Sequence, residues 1–413
     1  MPKENKIKIK RCVYKFPDGF LWGTSTSSHQ IEGNNENNWT EWEKQGHIKD
    51  GSISGRACNS YELYKEDIKL CKELNNNAYR FSLEWSRIEP EEGKFDQEAL
   101  EHYKKIIQAC KRNNIEPIVT LYHWTQPIWF AKMGGWTNKH SSVLFRRYAE
   151  KVAKKIGADV KFWCTINEPM IYAYNSYAQA KWPAYTHAPA DKPLAIRRFF
   201  KFRKVIKNLV RAHQKAYYIL HDVNPQAQVS IAKNNQFFEP YVNTIFNRLM
   251  VNIVSNFWNH SFLKKVKKEL DYIGLNYYFH NLMFFSWSGQ VQMNENKQTN
   301  DMGWEIYPRG IYEVLKDLRK YKLPIYILEN GLADAKDSRR EDFIKDHLRN
   351  AHKAIKEGVD LRGYCHWSLI DNFEWSEGFE PKFGLYKVNL KTFERTARPS
   401  AKVYAEICEN NGF

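Results

Sequence analysis

IEPIVTLYHWTQPIWFAKMGGWTNKHSSVLFRRYAEKVAKKIGADVKFWCTIN, residues 115–167, holds two short apolar runs with an amphipathic stretch between them. The first run, 115–123, is too brief for a core helix and rich in β-branched and aromatic residues, so it reads as a buried strand. Residues 142–156 place apolar side chains three and four apart, the period of a helix with one face in a core. The second run, 160–167, again reads as a strand. The segment is one strand–helix–strand unit.

The same rhythm extends in both directions. Strand-like runs recur at 20–25, 77–83, 228–233, 272–277, 323–328 and 361–367, and helix-like stretches at 60–74, 97–113 and 340–357. With the two runs above this makes eight strands alternating with helices, the count of a (β/α)8 TIM barrel. The predicted fold class is therefore α/β, a single barrel domain over residues 1–413, with 1–15 a peripheral N-terminal extension. A doubly wound sheet also alternates strands and helices, but it wants a phosphate-binding glycine turn, and no such turn is present. The stretch 190–270 is the least patterned: helices dominate it, and the fifth strand has to be picked out of 226–234. Residues 134–135 and 183–193 read as loops within the domain.

Composition narrows the function classes. Hydrophobic residues are 43 % and charged residues 27 % of the 413, enough for a large core and no signature of disorder. The 14 Trp, 24 Tyr and 24 Phe exceed what a core needs, and flat rings suit the faces of sugars. Residues 1–15 alternate lysines with single apolar residues and offer no signal-peptide core, so a cytoplasmic location is expected. The charge-free stretch 117–130 is too short and polar to span a bilayer, and no membrane partner is expected. Seven scattered cysteines without a C-x-x-C pair fit free thiols in a reducing compartment. The net charge of +16 is densest at Arg197, Arg198, Lys201, Arg203, Lys204 and Lys207. No recognition helix or aromatic-plus-basic motif accompanies it, so it is read as solvated surface and no nucleic acid is expected. No metal is expected, since the histidines lack zinc-pair spacing, and no cofactor signature appears. Oligomeric state is not legible.

In a barrel the C-terminal ends of all strands open on one face, and the active site sits there. The fourth strand ends in Asn167-Glu168-Pro169 and the seventh in Glu329-Asn330-Gly331. Two carboxyl groups thus meet across one mouth, the equipment of glycoside hydrolysis.

These tripeptides resemble the acid/base and nucleophile motifs of family 1 glycoside hydrolases, the β-glucosidase family. The resemblance continues through FPDGFLWG at 16–23, QIEG at 30–33, YRFS at 79–82, WSR at 85–87, LYHW at 121–124, GLNYY at 274–278 and WSLIDNFEW at 367–375. It implies a retaining β-glycosidase, most simply a β-glucosidase with galactosides and fucosides as secondary substrates. Glu329 would be the nucleophile and Glu168 the acid/base, with Arg80 and Tyr278 holding Glu329 ionised and Asn167 contacting the sugar 2-hydroxyl. Asn276 would help line the site. Gln30, His123, Glu374 and Trp375 resemble the residues that hold the non-reducing sugar, with Trp124, Trp367 and Phe383 as walls or stacking platforms. A β-glucoside or related β-linked oligosaccharide is the implied partner.

The sequence departs from the family pattern at Leu328, commonly Thr, at Thr125, often Asp, and at Asn59-Ser60, often Asp-His. It is also short around 237–270 and 284–301, which shape the outer cleft. A 6-phospho-β-glycosidase and a non-catalytic sugar-binding barrel are the alternatives. The first would place a phosphate against Glu374, and the second is at odds with the presence of both glutamates.

Overall fold

The computed structural model describes residues 13–185, 195–286 and 289–413. Most of the proposed N-terminal extension and part of the loop at 183–193 lie outside them. All eight expected strands form, as β1 Leu21–Ser25, β2 Ala78–Ser82, β3 Glu116–Tyr122, β4 Phe162–Asn167, β5 Gln228–Asn234, β6 Ile273–Asn276, β7 Ile325–Asn330 and β8 Leu361–Trp367. They close into one barrel in sequential order, each pair parallel, with β8 returning to β1.

Strand alternation divides the core in two. Ala78, Ile118, Phe162, Cys164, Ala232, Tyr326, Leu328 and Cys365 form a compact cluster, as expected of the side chains that fill a barrel's axis. Their neighbours along the strands, such as Tyr79, Val119, Trp163, Ile231 and Ile327, belong instead to the large cluster shared with the helices. Leu328 is thus a packing residue of the interior. The helices α1 Ser60–Glu73, α2 Gln97–Arg112, α3 Ser141–Ile156, α4 Ala195–Val223, α5 Ser261–Val266, α6 Pro308–Leu318, α7 Arg340–Lys356 and α8 Pro399–Asn410 fill the connections in turn. Capping is visible where the sequence offers it: the Asp96 side chain accepts from the amides of Glu98 and Ala99 at the start of α2. The last residues of the chain close the bottom, where Phe413 accepts from the amides of Val13 and Tyr14 at 2.8 Å.

Two features were not foreseen. A small sheet of Phe237–Pro240, His280–Ser286 and Gly289–Gln292 stands beyond the ends of β5 and β6, with the helix Ile245–Ser255 packed on it. The register of β7 also shifts between Ile327 and Glu329 against β6, and between Ile327 and Asn330 against β8. Such irregularities re-aim side chains at barrel rims. Here the shift falls on the residue that bears the carboxyl group. Gly331 follows because a Cβ there would sit 1.7 Å from the Trp367 carbonyl oxygen.

Candidate active site

A cavity of about 220 Å³ opens at the C-terminal face, above the ~150 Å³ that admits a benzene ring. Glu168 and Glu329 both line it, as do His123, Trp124, Tyr278, Trp367, Glu374, Trp375 and Phe383. Arg80, Asn167, Gln30 and Asn276 stand behind this lining, fully buried and bonded to it or to one another.

The two glutamates have unlike surroundings. Glu329, at the end of β7, accepts from Arg80 Nη1 on one oxygen and from the Tyr278 hydroxyl on the other, the latter at 3.0 Å. Arg80 is completely enclosed and also donates to Asn167 Oδ1 at 2.7 Å and Thr120 Oγ1 at 3.2 Å, so its fork is fixed. Glu168 follows β4 at a left-handed backbone position, φ 44°, and accepts only neutral amides: Asn276 Nδ2 at 2.8 Å and Asn234 Nδ2 at 3.2 Å. Burial raises both carboxyls above their ordinary range. With the charge of Glu329 added, it takes Glu168 up to about 7. For Glu329, burial is opposed by the Arg80 cation and the bonds from Arg80 and Tyr278, so Glu329 ionises first.

Protons on the neighbours follow from the same bonds. Arg80 can only donate, so Asn167 must turn its carbonyl oxygen to Arg80 and its amide to His123 Nε2, 3.0 Å away. His123 Nε2 is therefore the acceptor and Nδ1 bears the hydrogen. Burial and Arg80 keep this imidazole neutral, and its Nδ1 has no partner in the described residues. Asn276 Oδ1 is also buried without a partner. One donor and one acceptor are thus free beside the carboxyl pair, a match for sugar hydroxyls.

At the inner end of the cavity, Gln30 donates to Asn372 Oδ1 at 2.8 Å and to Glu374 Oε2 at 3.2 Å. Burial, with Glu329 nearby, pushes Glu374 up to about 8. Among the described residues the lining holds Glu168, Glu329, Glu374 and Glu377 and not one Lys or Arg. Trp375 packs against Trp124 at 4.9 Å between ring centres and stacks on His123 at 5.9 Å, so the walls brace each other. Phe383 both lines the cavity and packs on Trp367 in a small apolar cluster.

This architecture matches known proteins along its whole length. The model of glycosyl hydrolase family 1 fits residues 13–264 and 254–413. The chain belongs to glycosyl hydrolase family 1. Beta-glucosidase A of Thermotoga maritima is 34 % identical over 97 % of this chain and 99 % of its own. A solved beta-glycosidase from Pyrococcus horikoshii is 40 % identical with a TM-score of 0.89, covering 97 % of this chain and 96 % of its own. The Thermotoga maritima beta-glucosidase in complex with glucoimidazole gives 33 % and 0.89, covering 97 % and 100 %. Family 1 membership makes the protein a glycoside hydrolase, and its relatives make it a β-glycosidase.

Several cavity residues escaped the sequence reading. Asn234 holds Glu168, but β5 was expected to stop at residue 233. Trp182, Phe279, Met302 and Trp304 come from loops and line the outer cavity, where no local period marks them. Thr125, a departure from the family pattern, bonds Glu84 at 2.9 Å behind the wall.

The Arg80–Glu329 pair yields a test of its own. Arg80→Met strands a buried carboxyl, and breaking such a pair costs about 3–5 kcal/mol. Urea denaturation should show that loss. Because Glu329 then binds its proton more tightly, the acidic limb of kcat/KM should also move to higher pH. An unchanged midpoint together with an unchanged limb would mean the pair is not a pair in solution.

Proposed function

We propose that this protein is a retaining β-glucosidase that removes terminal non-reducing β-D-glucosyl residues by double displacement. The asymmetry of the two buried carboxyls carries the reading. Glu329, bonded by a cation and a phenol, is suited to attack the anomeric carbon as an anion. Glu168, raised to about 7 and held by amides, is suited to protonate the leaving oxygen and then to activate water. His123, Glu374 and Gln30 would bind the hydroxyls of the sugar, and the tryptophans would enclose its faces. The two-carboxylate chemistry requires no metal or other cofactor. A cytoplasmic setting is supported by the six cysteines of the described residues, all buried free thiols.

The alternative of a 6-phospho-β-glycosidase needs a cation or donor cluster for the phosphate, and the lining residues offer carboxyls in its place. A panel of nitrophenyl β-glycosides tests both points. The glucoside is expected to give the highest kcat/KM, galactoside and fucoside lower values, and the 6-phosphoglucoside none above background. Glu374→Ser should lower glucoside kcat/KM by about ten- to a hundredfold, the equivalent of one or two charge-assisted hydrogen bonds. A parent enzyme that prefers the 6-phosphate would overturn the assignment.

A further inference from the structure

Residues 195–221 contain eight Lys and Arg and residues 240–268 five, with no Asp or Glu in either stretch. That accounts for most of the net charge of +16. The sequence alone reads the first stretch as solvated surface. The structure adds an apolar component. On the helix Ile245–Ser255 and just beyond it, Ile245, Leu249, Ile253 and Phe257 follow at four-residue spacing, one line along a helix. These four and Phe246 are 47–79 % exposed. The opposite face is satisfied, with Val251 buried against Met283 and Phe285 of the small sheet. Phe199 and Phe200, near the start of α4, are also exposed, and Phe202 of that helix approaches Phe257 at 6.2 Å. Between α4 and the segment 257–265, where the apolar line ends, runs a groove lined by Phe202, Phe257, Arg203, Lys204, Lys207 and Lys265, with no carboxylate among the described residues of its lining. None of these four cations makes an ion pair within the described residues. The groove adjoins a wider cleft that shares Phe202 and Phe257 with it and Ile171, Asn175, Phe279 and Trp304 with the catalytic cavity.

We propose that this face is a docking surface for an anionic lipid bilayer. Contiguous exposed apolar surface on a soluble protein marks an interaction site, and its partner must suit both components. A second copy joined through the same face would set one cationic patch against another, because a twofold contact pairs like with like. A nucleic acid would satisfy the cations but leave the aliphatic line in water. A bilayer with acidic headgroups satisfies both: the side chains of the 245–257 line enter the headgroup boundary while the lysines and arginines meet phosphate. Docking there turns the cleft that leads to the catalytic cavity toward the lipid.

The docking reading does not depend on the glycosidase reading, and flotation of the full chain with lipid vesicles separates the two. The parent should float with vesicles containing one-third phosphatidylglycerol, much less with phosphatidylcholine alone, and should be released by high salt. Arg203→Ala/Lys204→Ala/Lys207→Ala should weaken binding about a hundredfold, at about fivefold per removed charge. Phe246→Ser/Leu249→Ser/Ile253→Ser, all at exposed positions, should weaken it at least about tenfold. Both variants should hydrolyse a soluble nitrophenyl glucoside at the parental rate, which also shows that they fold. Three results would overturn the proposal: no flotation of the parent, flotation that survives loss of the apolar line, or tighter binding to a duplex oligonucleotide than to the vesicles. A concentration-dependent dimer abolished by the Phe246/Leu249/Ile253 substitutions would assign the face to self-association and overturn it too.

Discussion

Glu329→Ala is expected to lower kcat on β-glucosides by about five orders of magnitude, the scale of losing the attacking group in a covalent mechanism. The size follows from the site, because Glu329 alone among the lining glutamates is bonded to Arg80. Glu168 holds its proton to about pH 7, Glu374 to about 8, and both lack the cation that keeps Glu329 ionised. Alanine also leaves Arg80 without its charge partner, so a folding defect could imitate a catalytic one. Glu329→Gln keeps an oxygen for Arg80 to donate to and removes only the nucleophilic charge; it should be equally inactive and melt close to the parent. In the parent, a 2-fluoro-2-deoxy-β-glucoside with a good leaving group should add one fluoroglucosyl unit to the peptide that contains Glu329. A label on Glu168 would exchange the two roles.

Much of this site is readable in the sequence, for reasons that differ by residue. The barrel was legible because a strand buried on both faces is a short apolar run, and eight such runs alternate with helical period. The meeting of the two carboxyls in one cavity was legible because a polar residue ending an apolar run has few explanations, and two facing each other have fewer. Arg80 sits two residues beyond Ala78 and so shares its inward face, but only the motif around it said which charge it meets. Asn234 was missed because Lys233 interrupts the apolar run of β5, and the expected strand stopped there. Trp304 and Phe279, 4.8 Å apart between ring centres, come together through the return of a long loop, which leaves no trace in local pattern. The upward shift of the Glu374 carboxyl has no signal in the sequence. It depends on burial and on the distance to another carboxyl, and neither can be read along the chain.

The second large effect belongs to Glu168 and depends on the substrate. Glu168→Ala should cost about three orders of magnitude on alkyl or cellobiose-type glucosides, within the range of a positioned general acid. Dinitrophenyl glucoside needs no proton to depart, so its glycosylation step should be almost unchanged and the covalent intermediate should accumulate. The pH profile supplies a second readout. In the parent, the proton on Glu168 is present below about pH 7 and lost above it, so kcat/KM for poor leaving groups should fall as pH rises through 7. That limb should vanish in Glu168→Ala. Its position has two causes with different fates. Burial, the larger, persists throughout the cycle, whereas the repulsion from Glu329 disappears once that oxygen is esterified to the sugar. Glu168 should therefore ionise more readily in the intermediate than in the free enzyme, which is what a base that activates water requires. Azide needs no base, and in Glu168→Ala it should restore turnover of the dinitrophenyl substrate and give the β-glucosyl azide. Equal losses on both substrate classes, with the basic limb intact and no azide product, would place the acid/base function on another residue.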